Sequence, residues 1–246
     1  GAPCGLMDQL AAEHGKPGCL LPIVCRPDLL RHPVPLPRGV TVVGWASGVK
    51  HAVSASPYMR ARTATFMGKR IFEEKIGRRW LHAAEISPSL FERFARHVVP
   101  ESISGRWFSK RYGETDDPLS CVDKAVNYAV RSALQFPISE NFRAGLAEFL
   151  LRASDSPLEQ RLCQTGELML QSHAGYSALG LGSPETDQMV DALVSLGAQK
   201  GVYGGRASGG GSGGTVVVLA KKNALVELAA LAKKVQFRGV STALIR

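Results

Sequence analysis

The hydrophobic pattern reads as strands near both ends of the chain and helices between them. Cys19-Leu20-Leu21-Pro22-Ile23-Val24-Cys25 and Val40-Thr41-Val42-Val43-Gly44-Trp45-Ala46 are short apolar runs that read as strands, with the proline-rich, basic stretch 31–38 as their connection. From residue 56 to about 77, Met59, Phe66, Met67, Ile71 and Phe72 fall near helical spacing. Ser56 and Pro57 supply an N-cap and a proline at the first helical position. Between 78 and 118, short helical signals such as Ser87-Pro88-Ser89-Leu90-Phe91-Glu92 alternate with polar and aromatic connections, and no element order follows from them. Helices are predicted over 138–153, 157–175 and 184–199. Ser156-Pro157-Leu158-Glu159 has the form of a capping box, and Ser183-Pro184-Glu185 is a second strong start. A closing helix over 224–235 carries Leu225, Leu228 and Leu231.

One segment departs from this grammar. Gly204-Gly205-Arg206-Ala207-Ser208-Gly209-Gly210-Gly211-Ser212-Gly213-Gly214 holds seven glycines in eleven residues and runs straight into Thr215-Val216-Val217-Val218-Leu219. Consecutive glycines can adopt positive φ and turn several N–H groups toward one anion, so a strand, a structured loop and a second strand are expected here. On composition alone a mobile surface loop is the plainer reading.

Composition narrows the class. The 246 residues are 45% hydrophobic, enough for one large core or two smaller ones, and two domains are expected. No run approaches a membrane span and no signal-peptide pattern opens the chain, so a cytoplasmic protein is expected. Five cysteines without CxxC spacing suggest neither a disulfide framework nor a zinc site, and mostly buried thiols are the default. The net charge of +9 is spread over short clusters such as Arg78-Arg79 and Lys233-Lys234 with no RNA-binding or zinc-finger motif, which favours solvated helix faces over nucleic acid.

Individual polar residues have modest local readings. Asp8, in Pro3-Cys4-Gly5-Leu6-Met7-Asp8-Gln9, precedes a helical stretch and by itself reads as a complement to the helix dipole. His51 reads as a strand-end histidine, His173 as a packed helix position, and Asp187 as a first-turn acid. Arg206 suits either a phosphate or a nearby acid.

The order of three features changes the balance. The Pro3 to Gln9 motif comes first; Ser47-Gly48-Val49-Lys50-His51-Ala52-Val53-Ser54-Ala55-Ser56-Pro57-Tyr58 follows two strands; the glycine loop comes near the end. Over essentially its whole length the chain resembles the galactokinase branch of the GHMP small-molecule kinases, whose motifs PCGxMDQ, NSxxxHxxxxSxYxxRR and GxxxTGGGxGG stand in this order. Within that branch it is more similar to the kinase domain of L-arabinokinases. That likeness rests on Pro137-Ile138-Ser139-Glu140-Asn141-Phe142-Arg143, on the segment from Ser172 to Ser183 with Thr186-Asp187, and on GGGSGGT where galactokinases have GGGFGGC.

The resemblance implies an α+β, two-domain GHMP kinase fold: residues 1–75 as the remainder of the amino-terminal α/β domain, and 76–246 as a ferredoxin-like carboxyl-terminal domain. It implies an ATP-dependent sugar 1-kinase, with L-arabinose favoured over galactose and ATP and Mg2+ as cofactors. Asp8 falls on the catalytic position, Gly5 and Tyr58 on sugar-contacting positions, and Ser208, Gly209, Gly210, Gly211, Ser212, Gly213 and Gly214 on the phosphate and substrate loop; no metal ligand is assigned within the chain. The family's ATP loop, first arginine and sugar-binding Glu-His-x-Asp cluster are expected upstream of Gly1, in the same or a second chain, so these residues alone are expected to be inactive. The expected partners are sugar and ATP, with no nucleic acid and no membrane. A sugar- and nucleotide-sensing protein derived from such a kinase is the alternative, and an intact Asp8 favours the enzyme.

Overall fold

Residues 6–24, 29–48, 56–209, 214–237 and 239–245 are described by the computed structural model. Helix α1 (Met7–His14) is followed by short strands β1 (Cys19–Leu20), β2 (Ile23–Val24), β3 (Leu29–Leu30) and β4 (Val34–Pro35), then by β5 (Val40–Ala46). The middle holds α2 (Ser56–Ile76), α3 (Pro88–Val98), β6 (Ile103–Ser104), α4 (Gly105–Tyr112), β7 (Asn127–Tyr128) and α5 (Val130–Arg152). Then come α6 (Leu158–Ala178), α7 (Pro184–Leu196), β8 (Val202–Ala207), β9 (Thr215–Lys221), α8 (Leu225–Lys234), β10 (Gln236–Phe237), β11 (Val240–Ser241) and β12 (Ala243–Ile245).

The chain divides into two compact units, residues 1–53 with 145–246, and residues 54–144. In the first, an antiparallel sheet has the order β12-β5-β9-β8. Counted along the chain its strands are first, second, third and fourth as β5, β8, β9 and β12, giving the spatial order 4-1-3-2 of a β-α-β-β-α-β arrangement. This is an α+β fold. The compact units cut the chain elsewhere than at residue 75: β5 pairs with β9 over seven positions, from Val40 opposite Lys221 to Ala46 opposite Thr215.

Period-two alternation sets the faces of β9. Val216, Val218 and Ala220 join Val43, Trp45, Met189, Leu193, Leu228 and Ala232 in one buried cluster, against α7 and α8. Leu219 turns the other way, into a second cluster with Val34, Leu162 and Tyr203. Helix α6 lies along the β8 edge and serves both, packing Leu170 against the first and Met169 against the second.

The second unit is largely helical. Ser87 and Pro88 start α3 as the sequence predicts, with the Ser87 hydroxyl accepting the Leu90 amide. Helix α5 begins eight residues earlier than the expected start at 138, with Pro137 inside it. Phe72, Trp80 and Phe91 pack as neighbouring rings, with centroids 5.7 and 6.0 Å from Phe72.

Three further expectations need correction. The run 19–25 is not one strand: β1 pairs with β4 and β2 with β3, and Pro22, lacking an N–H, stands between them. The capping box at Ser156 does not form; Glu159 instead accepts from the Tyr203 hydroxyl at 3.0 Å and from Lys221 Nζ at 2.7 Å, leaving α6 without a side-chain cap. Among the described cysteines none is buried: Cys19 is half-buried, and Cys121 and Cys163 are exposed. Among the described residues, no helix is long and apolar enough to cross a membrane.

Candidate active site

The glycine loop is held by the crossing of α6 on β8. A Cβ on Gly166 would lie 2.0 Å from the Tyr203 carbonyl oxygen, and one on Gly204 would lie 2.4 Å from the Gly166 carbonyl oxygen, so helix and strand meet backbone to backbone. From that contact, seven helical residues (about 10.5 Å) lead to His173, and three strand residues (about 10 Å) lead to Ala207. The two advances match, and the Ala207 N–H donates to His173 Nδ1 at 3.2 Å. Three residues further along α6, the Tyr176 hydroxyl donates to the Gly209 carbonyl at 2.6 Å. The Arg206 guanidinium lies over the Tyr176 ring, 5.9 Å from its centroid.

Both ends of the loop are pinned. Ser208 N–H donates to the Thr215 carbonyl at 2.9 Å, and Ser47 N–H donates to the Gly214 carbonyl at 2.7 Å. Gly209 and Gly214 take φ of +81° and +111°, conformations that side chains resist, as the glycine reading requires. Gly210, Gly211, Ser212 and Gly213 lie outside the described residues, as does Gly5.

Against this loop stands a cleft of about 790 Å³. Asp8 and Lys16 line it from α1 and the turn after it, Ser208 from the loop, and Val217 from β9. Two residues 200 positions apart in the chain, Asp8 and Ser208, thus face one space. Asp8 is exposed and sits in the first turn of α1, so the dipole role and a role toward a ligand are compatible. Lys16 was not picked out from the sequence; no motif surrounds it. Among the described residues, no group of three or more His, Cys, Asp or Glu side chains is gathered to hold a metal ion.

Tyr58 belongs to the other unit, half-buried in the first turn of α2. One turn on, Arg62 makes a bidentate pair with Asp117, Nε to Oδ2 and Nη2 to Oδ1 both at 2.7 Å. Those bonds hold the guanidinium above its ordinary pKa despite burial, and a contact with Tyr58 adds to the effect. Burial pushes the Asp117 carboxyl up, but hydrogen bonds from Arg62, the Ser120 hydroxyl and the Leu119 amide outweigh it and hold the group below the usual carboxylate range.

The carboxyl-terminal part of the chain matches a known class in sequence. Residues 152–234 match the family model described as GHMP kinases C terminal, so the chain carries a GHMP kinase carboxyl-terminal domain. More particularly, it is 30% identical to the L-arabinokinase of Arabidopsis thaliana over 91% of this chain and 25% of that protein. It is 31% identical to a galactokinase of Chloroflexus aggregans over 94% of this chain and 49% of that protein. The crystal structure of Lactococcus lactis galactokinase complexed with galactose superimposes on the whole chain with a TM-score of 0.73 at 17% identity, covering 54% of that structure, a likeness of fold. The chain spans between a quarter and about half of the length of these relatives.

Proposed function

We propose that these residues are part of an ATP-dependent sugar 1-kinase. The carrying observation is the shared cleft, which brings the exposed Asp8 carboxylate and Ser208 at the root of the glycine loop to one space. In the reaction, the anomeric hydroxyl oxygen of an aldose forms a bond to the γ-phosphorus of ATP while the bond to the bridging oxygen breaks, and ADP leaves with the electron pair. Asp8 accepts the hydroxyl proton or orients it. By the family resemblance, Ser208 to Gly214 are assigned to the phosphate and substrate loop, and Tyr58 and Gly5 to sugar recognition. Phosphoryl transfer is governed by positioning and charge stabilisation, which suits a loop pinned at both ends.

The sugar we favour is L-arabinose rather than galactose. GGGSGGT over 209–215 supports it, and so does the similarity to an L-arabinokinase. ATP is the phosphoryl donor in this reading, with Mg2+ as the accompanying ion, and no step is assigned to the ion. The family segments that hold the nucleotide are not among the 246 residues, so these residues alone are inactive in this reading. The test is direct: the purified 246-residue chain, with and without the family's amino-terminal half, is incubated with ATP, Mg2+ and either L-arabinose or D-galactose. Sugar phosphate is expected only when both halves are present, and faster with L-arabinose. Turnover by the 246 residues alone would remove the assignment of the nucleotide site.

A further inference from the structure

We infer that His173 is a positioning residue for the glycine loop, its unprotonated Nδ1 fixing the end of β8 from which Ser208 and Gly209 spring. The inference about loop geometry stands on the structure; its bearing on catalysis rests on the kinase reading above.

Among the described strands, β8 is an edge of the sheet. Ser208 N–H points to β9, where it meets the Thr215 carbonyl, so by alternation the preceding amide of Ala207 points out of the sheet. An outward amide on an edge strand is open to water or to another chain unless something accepts it. His173 does, from α6, with its side chain 7% exposed. An imidazole nitrogen accepts only when it carries no proton, which places the ring proton on Nε2. Nε2 lies 3.0 Å from Asp187 Oδ1, off the line of a well-formed hydrogen bond, and the same carboxylate oxygen accepts the Ser177 hydroxyl at 2.6 Å.

Protonation of Nδ1 would set two N–H groups against each other at 3.2 Å and release the strand end. The charged groups around the ring come from two elements. Asp187 and Asp191 on α7 favour the imidazolium; Arg206 on β8 opposes it. Burial of the ring outweighs the acids and holds the pKa below the ordinary histidine value, so the accepting form dominates at neutral pH. Tyr176, gripping Gly209 from the same helix, is the second fixed point. Residues 173 and 176 share one face of a helix, so a single helix face holds the loop root at two points, the Ala207 N–H and the Gly209 carbonyl.

The experiment uses nuclear magnetic resonance on the 246-residue chain, without sugar or nucleotide. At pH 7.5 the His173 ring nitrogens are expected to report the Nε2–H tautomer, and the Ala207 amide shift is expected to follow the His173 titration below pH 6.5 with one midpoint. His173→Phe should speed Ala207 amide exchange by roughly tenfold. His173→Asn, which sets a non-titrating acceptor near the place of Nδ1, should restore protection and remove the pH dependence. An Nδ1–H tautomer, an Ala207 amide indifferent to the His173 titration, or unchanged exchange in His173→Phe would overturn the inference. If His173→Phe does not fold, the wild-type titration and tautomer decide. In the two-half kinase assay, His173→Phe is expected to lose kcat/KM at pH 7.5 and His173→Asn to flatten the acid limb of the pH profile. Absence of any sugar phosphorylation would sink the kinase reading and leave the resonance result standing.

Discussion

The Thr65 hydroxyl donates to the Ala133 carbonyl at 2.9 Å. Ala133 is the residue whose carbonyl an amide at position 137 would occupy in an α-helix, and position 137 is proline. A side chain on α2 therefore supplies the donor that α5 lacks, while the same hydroxyl also reaches the Ala61 carbonyl at 2.9 Å.

Thr65→Val is expected to cost about 1 kcal/mol, lowering Tm by about 2–4 °C, because the Ala133 carbonyl is left without its donor. Pro137→Ala restores an amide to the helix, so Thr65→Val should cost less in that background. Thermal unfolding of the four members of the cycle measures the coupling; strictly additive costs would mean that the two groups are independent.

Gly166→Ala should destabilise the first unit by about 3 kcal/mol or prevent folding, since the new methyl meets the backbone at Tyr203 rather than a movable side chain. Gly145→Ala is the control. Its Cβ meets nothing within 4 Å inside a helix, so a gain of about 0.5–1 kcal/mol is expected. Urea denaturation of the two variants reads the contrast.

Asp117→Asn should cost about 3 kcal/mol, near the low end for breaking a buried pair, because the Arg62 side chain is 24% exposed. The pH dependence has a definite sign. The folded carboxyl titrates below its ordinary value, so its contribution is complete above the unfolded value of about 3.9 and is lost as pH falls through the lower folded value. Acid titration of stability should be shallower in the variant than in the native chain.

Asp8→Asn, in the proposed kinase assembled from both halves, should reduce kcat by a factor on the order of 10² or more while the circular dichroism spectrum is unchanged, since Asp8 is exposed and α1 buries no side chain. Tyr58→Phe should raise KM for the sugar with a smaller effect on kcat. Near-normal turnover in Asp8→Asn would return that residue to its helix-dipole role alone.

Local chemistry was legible in the sequence wherever the partner lies within one turn. Ser87 with Pro88 and Ser183 with Pro184 start helices α3 and α7 as read, and the strand after the glycine loop is where the valines put it; the strand before it runs on through Gly204, Gly205 and Arg206 to Ala207, residues read as loop. Ser156-Pro157-Leu158-Glu159 misled because Glu159 has better partners far away, Lys221 and Tyr203. The start of α5 reads eight residues late in the sequence; Pro137 lies inside the helix, and the donor it lacks comes from Thr65 on α2, beyond any local window. Asp8 and Ser208 were associated through family motifs, not through spacing. His173, read as a packed position, is indeed buried, but its acceptor role depends on an amide 34 residues on. Nothing in the helical pattern of α6 distinguishes it from a histidine that only fills space.

The place of β5 in the sheet governs when the loop can acquire its shape. The Trp45 indole donates to the Thr242 hydroxyl across 197 residues of sequence, and Ser47 pins Gly214 from the end of the same strand. During synthesis, β8 and β9 leave the ribosome after β5 has waited through the whole helical middle of the chain, and β12 arrives last. Closing such long loops costs conformational entropy before any ladder bond repays it, which makes this sheet a slow, late step in folding. Until then β5 is an unpaired apolar strand, Val40 to Ala46, open to association with other chains. The fixed geometry of the loop root is thus reached through an interval of exposure to aggregation, and a chaperone that shields β5 during that interval would raise the yield of folded protein more than one that acts on the helices.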